Sequence, residues 1–418
     1  MKQARYLTAR EAAEALDVSV ATIYAYVSRG LIRSEPAGLN QRARLYVAED
    51  VQKLIEQKAY RNDPGKAANA AMQWGMPILE SSLTLIDENG LYYRGIDVAK
   101  LASNYSIEQV AALLWTGDLA NAATIFVTHS EVSKYLHTLQ RLEIDHPDLS
   151  FLQKLQTVLA LAEVDDLAAY DLDTQSSHPE QVGARILQLM TAVLAGSQSA
   201  TTPIAQALQQ NWCREDAQTE HLFNAALILC ADHELNASAF TARVVASVEA
   251  NLYLVVTAGL AALQGFKHGG NTLLVEGLFQ EIESGRSIHQ VIATRLRRGE
   301  QIPGFAHRLY PKGDPRGFYL LNLIAQMYAN RASAQLAQRI VAVMEEVTGR
   351  KPNLDFALVA LARTLHLPEG SALSLFALGR TVGWVGHAIE QYNSGQMIRP
   401  RATYSGPRPD ISQINEQE

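Results

Sequence analysis

Apolar positions fall into helical register almost as soon as the chain begins. In "LTAREAAEALDVSVATIYAYVSRGLIRS", residues 7–34, Ala12, Ala13 and Leu16 line one face at helical spacing. Thr8, with Glu11 three positions on, has the form of a capping box. Ser19 stands where a second helix, about Val20–Arg29, needs an N-cap, and Gly30 closes it. Two short helices joined by the tight turn "DVS" predict a helix-turn-helix. A wing over about Leu31–Tyr46 and a closing helix in "AEDVQKLIEQK" complete a small domain over residues 1–66. The linker "YRNDPGKAANAA" follows, broken by Asp63-Pro64-Gly65.

Beyond the linker the pattern changes twice. "PILESSLTLIDENGLYYRGIDVAKLA" alternates apolar and polar residues around the turn "DENG", which predicts a short strand pair. After it, amphipathic runs such as "IEQVAALLWTG", "FLQKLQTVLALAEV" and "RASAQLAQRIVAVMEEV" predict a body of many packed helices. Ala250–Phe266 is uncharged throughout but shorter than the roughly 20 apolar residues that cross a bilayer, and reads as a buried core helix. "QIPGFAHRLYPKGDPRG", residues 301–317, holds Pro, Gly and an Asp-Pro step and reads as a stiff loop.

Charge and cysteine content narrow the picture only a little. The 418 residues carry a formal charge of −7, which gives no general case for nucleic acid. Residues 1–66 are the exception in sign, with eleven Lys/Arg against eight Asp/Glu, a modest excess beside the strongly basic footprint of many DNA binders. Two cysteines, Cys213 and Cys230, exclude a disulfide framework and fit a reducing cytoplasm. No segment reads as a signal peptide or a membrane span, so a soluble cytoplasmic protein is expected.

No nucleotide-binding glycine motif or metal-ligand spacing is present, so neither a metal nor a permanently bound cofactor is expected. A scattered histidine is ordinarily structural, but three have settings that suggest chemistry. His233 follows an apolar run in "LILCADHELNASAF"; His268 precedes Gly269 and Gly270, whose lack of side chains would let backbone approach a ligand; His307 lies in the stiff loop. Asp355, just ahead of Phe356, Ala357 and Leu358, is a carboxylate in apolar company. That setting raises a pKa and suits a general base. Arg316, Arg380, Arg399 and Arg401 outnumber the nearby carboxylates, so a small polyanionic substrate is expected to balance them.

Seven stretches together point to a family. "GLYYRGIDVAKLA", "ADHELNASAFTAR", "KHGGN", "GFAHRLYPKGDPR", "NLDF", "FALGRTVGWVGHAIEQ" and "RPRATYSG" occur in an order in which the chain, from about residue 76 to 409, resembles the citrate synthase family. The N-terminal module resembles the small winged modules of the MerR and excisionase type. The resemblance implies a mainly α fold: a large helical domain over 67–274 and 378–418, with a small helical domain inserted at 275–377 and closing over substrate. It also implies a homodimer in which Arg399 reaches the neighbour's site.

By the same resemblance, Arg316, Arg380 and the partner's Arg399 would bind the carboxylates of oxaloacetate. His233 would hold the same substrate, and His307 would polarise its ketone. Asp355 would take the α-proton of an acyl-CoA co-substrate while His268 donates to the enolate oxygen; Lys312 stands near the expected CoA phosphate position. Three departures from the family pattern touch CoA binding, acyl preference and turnover: Asn271 and Thr272 after the glycine pair, Ala357-Leu358-Val359 after Asp-Phe, and Pro311 where a basic residue is usual. Acetyl-CoA giving citrate is the first reading, and propionyl-CoA giving 2-methylcitrate is the second. A metabolite-sensing regulator that binds DNA through residues 1–66 is the reading from another class.

Overall fold

The computed structural model describes residues 6–29, 31–36, 44–48, 50, 51, 54, 79–87, 90–127, 132–171, 178–196, 202–402 and 404–407. Gly30, Arg42, most of the closing helix and the linker around Asp63 lie outside the described residues. The chain divides into two compact units, residues 1–80 and 81–418.

In the first unit, strands β1 (Tyr6–Thr8), β2 (Ser34–Pro36) and β3 (Arg44–Val47) form an antiparallel sheet in the order β1-β3-β2, pairing Tyr6 with Val47 and Glu35 with Leu45. Thr8 and Glu11 close the expected capping box on helix Ala9–Leu16, and the Ser19 hydroxyl caps helix Val20–Ser28. Asp17 turns the chain between them in the left-handed region that Asp tolerates. Ala12, Ala13, Leu16, Ile23, Ile32, Tyr46 and Val51 make a small core of their own. The arrangement is a helix-turn-helix with a β-wing. Arg33, one of the wing cations, is bound by Asp50 through Nε (2.9 Å) and Nη2 (2.8 Å).

The second unit starts with the strand pair expected around "DENG": β4 (Thr84–Ile86) and β5 (Leu91–Tyr93), extended by β6 (Ile96–Asp97), all antiparallel. The rest is helical. Its axis is Ser371–Ser394, a 24-residue helix whose residues 371–388 are all buried. Helices Thr219–Cys230, Ala237–Ala246, Leu252–Leu263, Pro179–Ala195, Ile107–Thr116 and Leu354–Thr364 pack around it. Gly383 makes one of these contacts close enough to shape the site. Its N–H donates to Ala231 O at 2.9 Å, and a Cβ there would stand 2.4 Å from that oxygen. The axis thereby holds the segment that leads into His233.

The segment Ala250–Phe266 supplies the expected core helix, but one part of its surface is uncovered. Helix Leu252–Leu263, capped by Asn251, buries Leu252, Tyr253, Val255, Val256, Gly259, Leu260 and Leu263. Leu254 and Phe266 are 43% and 74% exposed. An all-apolar run hides which face meets the core, because periodicity carries that information only when the other face is polar. No helix among the described residues is long and apolar enough to cross a membrane.

Candidate active site

Residues far apart in sequence meet because the 301–314 loop zips onto the segment before helix Leu354–Thr364. Phe305 forms an antiparallel bridge with Pro352, Asn353 N–H donates to Gly304 O at 2.9 Å, and Ala306 N–H donates to Lys351 O at 2.9 Å. Gly304 (φ +81°) and Ala306 (φ +68°) turn the chain through the left-handed region immediately before His307. Asn353 caps helix Leu354–Thr364 by accepting from Phe356 N–H, which sets Asp355 in the first turn.

Arg316 departs from the expectation of a continuous loop over 301–317. It lies in the first turn of helix Pro315–Tyr328, because Asp314 is an N-cap and Pro315 takes the N1 position, where a missing N–H costs nothing. The Asp-Pro step therefore starts a helix. Asp314 also grips the guanidinium, with Nε to Oδ1 at 3.0 Å and Nη2 to Oδ2 at 2.9 Å, both side chains buried. One of the arginines expected to lack an anion thus already has a carboxylate partner.

The three histidines converge with two of the buried arginines, Arg316 and Arg380. His233 and His307 lie with ring centroids 5.2 Å apart, and Tyr310 Oη is 2.9 Å from His233 Nε2. The Arg380 guanidinium stacks on Phe376, 4.8 Å from the ring centroid, and Phe376 lies T-shaped to His268 with ring centroids 6.0 Å apart. Arg380 Nε donates to Cys230 O at 2.7 Å, and His387 lies 3.2 Å from the buried Asp232 carboxylate next to His233.

Burial lowers the His268 and His307 pKa values to about 4, helped by Arg380 at the first and Arg316 at the second. Burial and then Arg316 and Arg380 push His233 well below its usual range. All three rings are neutral at neutral pH. Leu309 N–H donates to His307 Nδ1 at 3.2 Å, so the neutral ring carries its proton on Nε2. Asp355 moves the other way: burial raises it to about 6, against the pull of the Asn271 hydrogen bond and of Arg316. The site thus combines neutral hydrogen-bond donors, a carboxylate titrating near neutrality, and two fixed cations.

Two expected residues are exposed. Arg399 is exposed in the irregular segment after helix Ser371–Ser394, and Lys312 is exposed in its loop. Gly269 and Gly270 have a different reason from close ligand approach. Added Cβ atoms would meet Leu263 O at 2.7 Å and Gln264 O at 2.9 Å, so the pair packs tightly on the end of the preceding helix. Residues 357–359, the aliphatic departure, are fully buried core. Sequence reasoning missed Tyr310, Ser238 and Asp314 as site groups. Each lies within seven residues of a histidine it did single out, but only the fold shows which way the side chains turn.

A mainly helical body with an acid–base site of neutral imidazoles, a perturbed carboxylate and paired guanidiniums defines an enzyme handling a small anionic substrate. The citrate synthase C-terminal domain family matches residues 71–401, and a helix-turn-helix domain family matches residues 6–59. The chain belongs to the citrate synthase family and is an acyltransferase of that type carrying an N-terminal helix-turn-helix domain. It is 30% identical over 354 residues to citrate synthase 2 of Bacillus subtilis (strain 168), covering 80% of this chain and 95% of that one. It is 28% identical over 356 residues to 2-methylcitrate synthase 1 of Corynebacterium glutamicum, covering 78% and 91%. The fold matches that of the Thermoplasma acidophilum citrate synthase, solved as a ternary complex with carboxymethyl coenzyme A and oxaloacetate. The TM-score is 0.70 at 22% identity, over 80% of this chain and 95% of that one.

Proposed function

We propose that the enzyme condenses oxaloacetate with acetyl-CoA to give citrate and CoA, with Asp355, His268 and His307 as catalytic residues. The observation that carries this reading is the pairing of neutral, half-buried imidazole donors with a half-buried carboxylate held at about pKa 6, beside the buried His233, Arg316 and Arg380. Arg316 and Arg380 bind the carboxylates of oxaloacetate, His233 holds the same molecule, and His307 Nε2–H donates to its ketone oxygen. Ser238 Oγ lies 2.7 Å from His268 Nε2 and receives the Trp384 indole N–H at 3.1 Å. Ser238 Oγ also lies 2.8 Å from Asn236 Oδ1, an acceptor that already takes two backbone N–H groups, so its one proton is shared between Asn236 and His268 as alternative partners. Giving the Ser238 proton to Nε2 leaves neutral His268 with its own proton on Nδ1, available to an enolate oxygen.

The Asp355 carboxylate removes a proton from the acetyl methyl group, and the thioester oxygen gains charge against His268 Nδ1–H. The nucleophilic carbon attacks the ketone carbon, whose oxygen takes the charge against His307 Nε2–H and then that proton; His307 regains a proton from water, and Asp355 gives up the one it took. Water cleaves the resulting citryl-CoA thioester to citrate and CoA. Preorganised donors in a water-poor site supply the stabilisation that such a weak carbon acid needs.

Within this reading, residues 275–377 act as a small domain closing on a large one of 67–274 and 378–418, and Lys312 faces the CoA phosphates. Uncovered Val248, Leu254 and Phe266 support self-association into a homodimer to which Arg399 contributes across the interface. The test is oxaloacetate-dependent CoA release from the purified protein given acetyl-, propionyl- or butyryl-CoA. The expected result is the highest kcat/KM with acetyl-CoA. Preference for propionyl-CoA would make it a 2-methylcitrate synthase, and release with none of the three would overturn the enzymatic reading.

A further inference from the structure

We infer that Asn271 is a positioning residue for the base: its side-chain amide pins one oxygen of Asp355 and leaves the other to receive the substrate proton. This rests on the proposed role of Asp355. Asn271 Nδ2 donates to Asp355 Oδ2 at 2.7 Å, a charge-assisted bond of good length. Backbone geometry fixes where that amide stands. The Gly269-Gly270 turn folds against the end of helix Leu252–Leu263, helix Asn271–Glu283 begins at once, and Asn271 N–H donates to His268 O at 3.0 Å. One tight turn therefore carries both the proposed enolate donor and the clamp on the base, so the two move together.

The clamp has two chemical effects. A carboxylate with one oxygen tied to a donor presents the other in a fixed direction, which favours a near-attack geometry for proton removal. Donation to the ionised form also favours that form, so Asn271 opposes the effect of burial and keeps Asp355 ionised at neutral pH. The charged and titratable groups that reach Asp355 are Arg316 and Asp314 at the start of helix Pro315–Tyr328, Arg380 on helix Ser371–Ser394, and the Cys230 thiol. Asn271 is the partner that does not titrate and that hydrogen-bonds the carboxylate directly. Its replacement by alanine alters the base without altering the charge that binds oxaloacetate.

The experiment compares Asn271→Ala and Asn271→Asp with the parent in full pH–rate profiles, with Asp355→Asn as reference. Asn271→Ala should move the acidic limb of kcat upward by about one pH unit and lower kcat roughly tenfold at neutral pH, with the oxaloacetate KM nearly unchanged. Asn271→Asp keeps the shape but replaces the donor by a second carboxylate, so the limb should move further as the two acids titrate together. An unmoved limb in both variants, with Asp355→Asn inactive, would overturn the role of Asn271 and leave the base assignment standing. An active Asp355→Asn enzyme would instead overturn the reading beneath it. If Asn271→Ala does not fold, the Asp355 titration followed by carboxyl-carbon NMR in the isosteric Asn271→Asp protein decides the matter: a pKa unchanged from the parent counts against the clamp.

Discussion

Ser238 Oγ stands 2.7 Å from His268 Nε2 while the buried Trp384 indole donates to the same oxygen at 3.1 Å. Trp384 sits on the central helix and Ser238 at the start of helix Ala237–Ala246, so two core elements jointly fix one imidazole. Ser238→Ala should therefore lower kcat by about ten- to a hundredfold, as loss of an orienting partner does for ligating histidines. The oxaloacetate KM should change little. Steady-state kinetics at saturating acyl-CoA separates the two parameters, and a change confined to KM would contradict the assignment.

The buried arginines should respond differently. Arg316→Ala or Arg380→Ala leaves a substrate carboxylate without its cation, raising the oxaloacetate KM roughly ten- to a thousandfold. Arg316→Ala also strands Asp314 as a buried unpaired carboxylate, so it should cost more stability than Arg380→Ala in chemical denaturation. If Arg399 completes a neighbour's site, Arg399→Ala should match the KM effect. Mixing it with Arg316→Ala subunits should then recover activity through heterodimers with one intact site. No recovery after verified subunit exchange would count against a shared site.

The histidines also make stability depend on pH. His268 and His307 have folded pKa values near 4, below the ordinary 6.5, so the unfolded chain binds protons first as pH falls. Their contribution is present above pH 6.5 and is lost progressively between 6.5 and 4. It amounts to about 3 kcal/mol for each ring at the acid end. Asp355, with its pKa raised to about 6, has the opposite sign: its contribution is full below its ordinary value of 3.8 and is lost as pH rises through 6. Urea denaturation at a series of pH values should show a steep acid limb that flattens in His307→Asn. An unchanged slope in that variant would contradict the half-buried neutral ring.

Much of this was legible from residues close together in sequence. The Thr8–Glu11 capping box, the Ser19 cap, the hairpin around "DENG" and the apolar flank of Asp355 are local signals whose physics acts within one turn. Arg316 was misread because Asp-Pro is a breaker inside a helix but a starter at its first turn. The exposure of Leu254 and Phe266 was hidden because a run apolar on all sides has no readable face. The Phe305–Pro352 bridge and the Tyr310–His233 bond join residues that only tertiary folding brings together.

The helix-turn-helix unit has its own core, so its removal should leave catalysis in place. Deletion of residues 1–66 is expected to keep kcat/KM within about twofold of the full chain, since every proposed catalytic group lies beyond residue 230. With Arg33 held by Asp50, DNA binding by the isolated unit should be weak and lost steeply with salt. Loss of activity in a truncated protein that is still folded would make the module a working part of the enzyme.

The central claim is that Asp355 is the base that starts carbon–carbon bond formation. The most direct measurement is oxaloacetate-dependent CoA release by Asp355→Asn beside the parent, with oxaloacetate binding followed in parallel by calorimetry. Turnover should fall by several orders of magnitude while oxaloacetate still binds, because the change removes a proton acceptor and no substrate-binding charge. Turnover equal to the parent's would contradict the account.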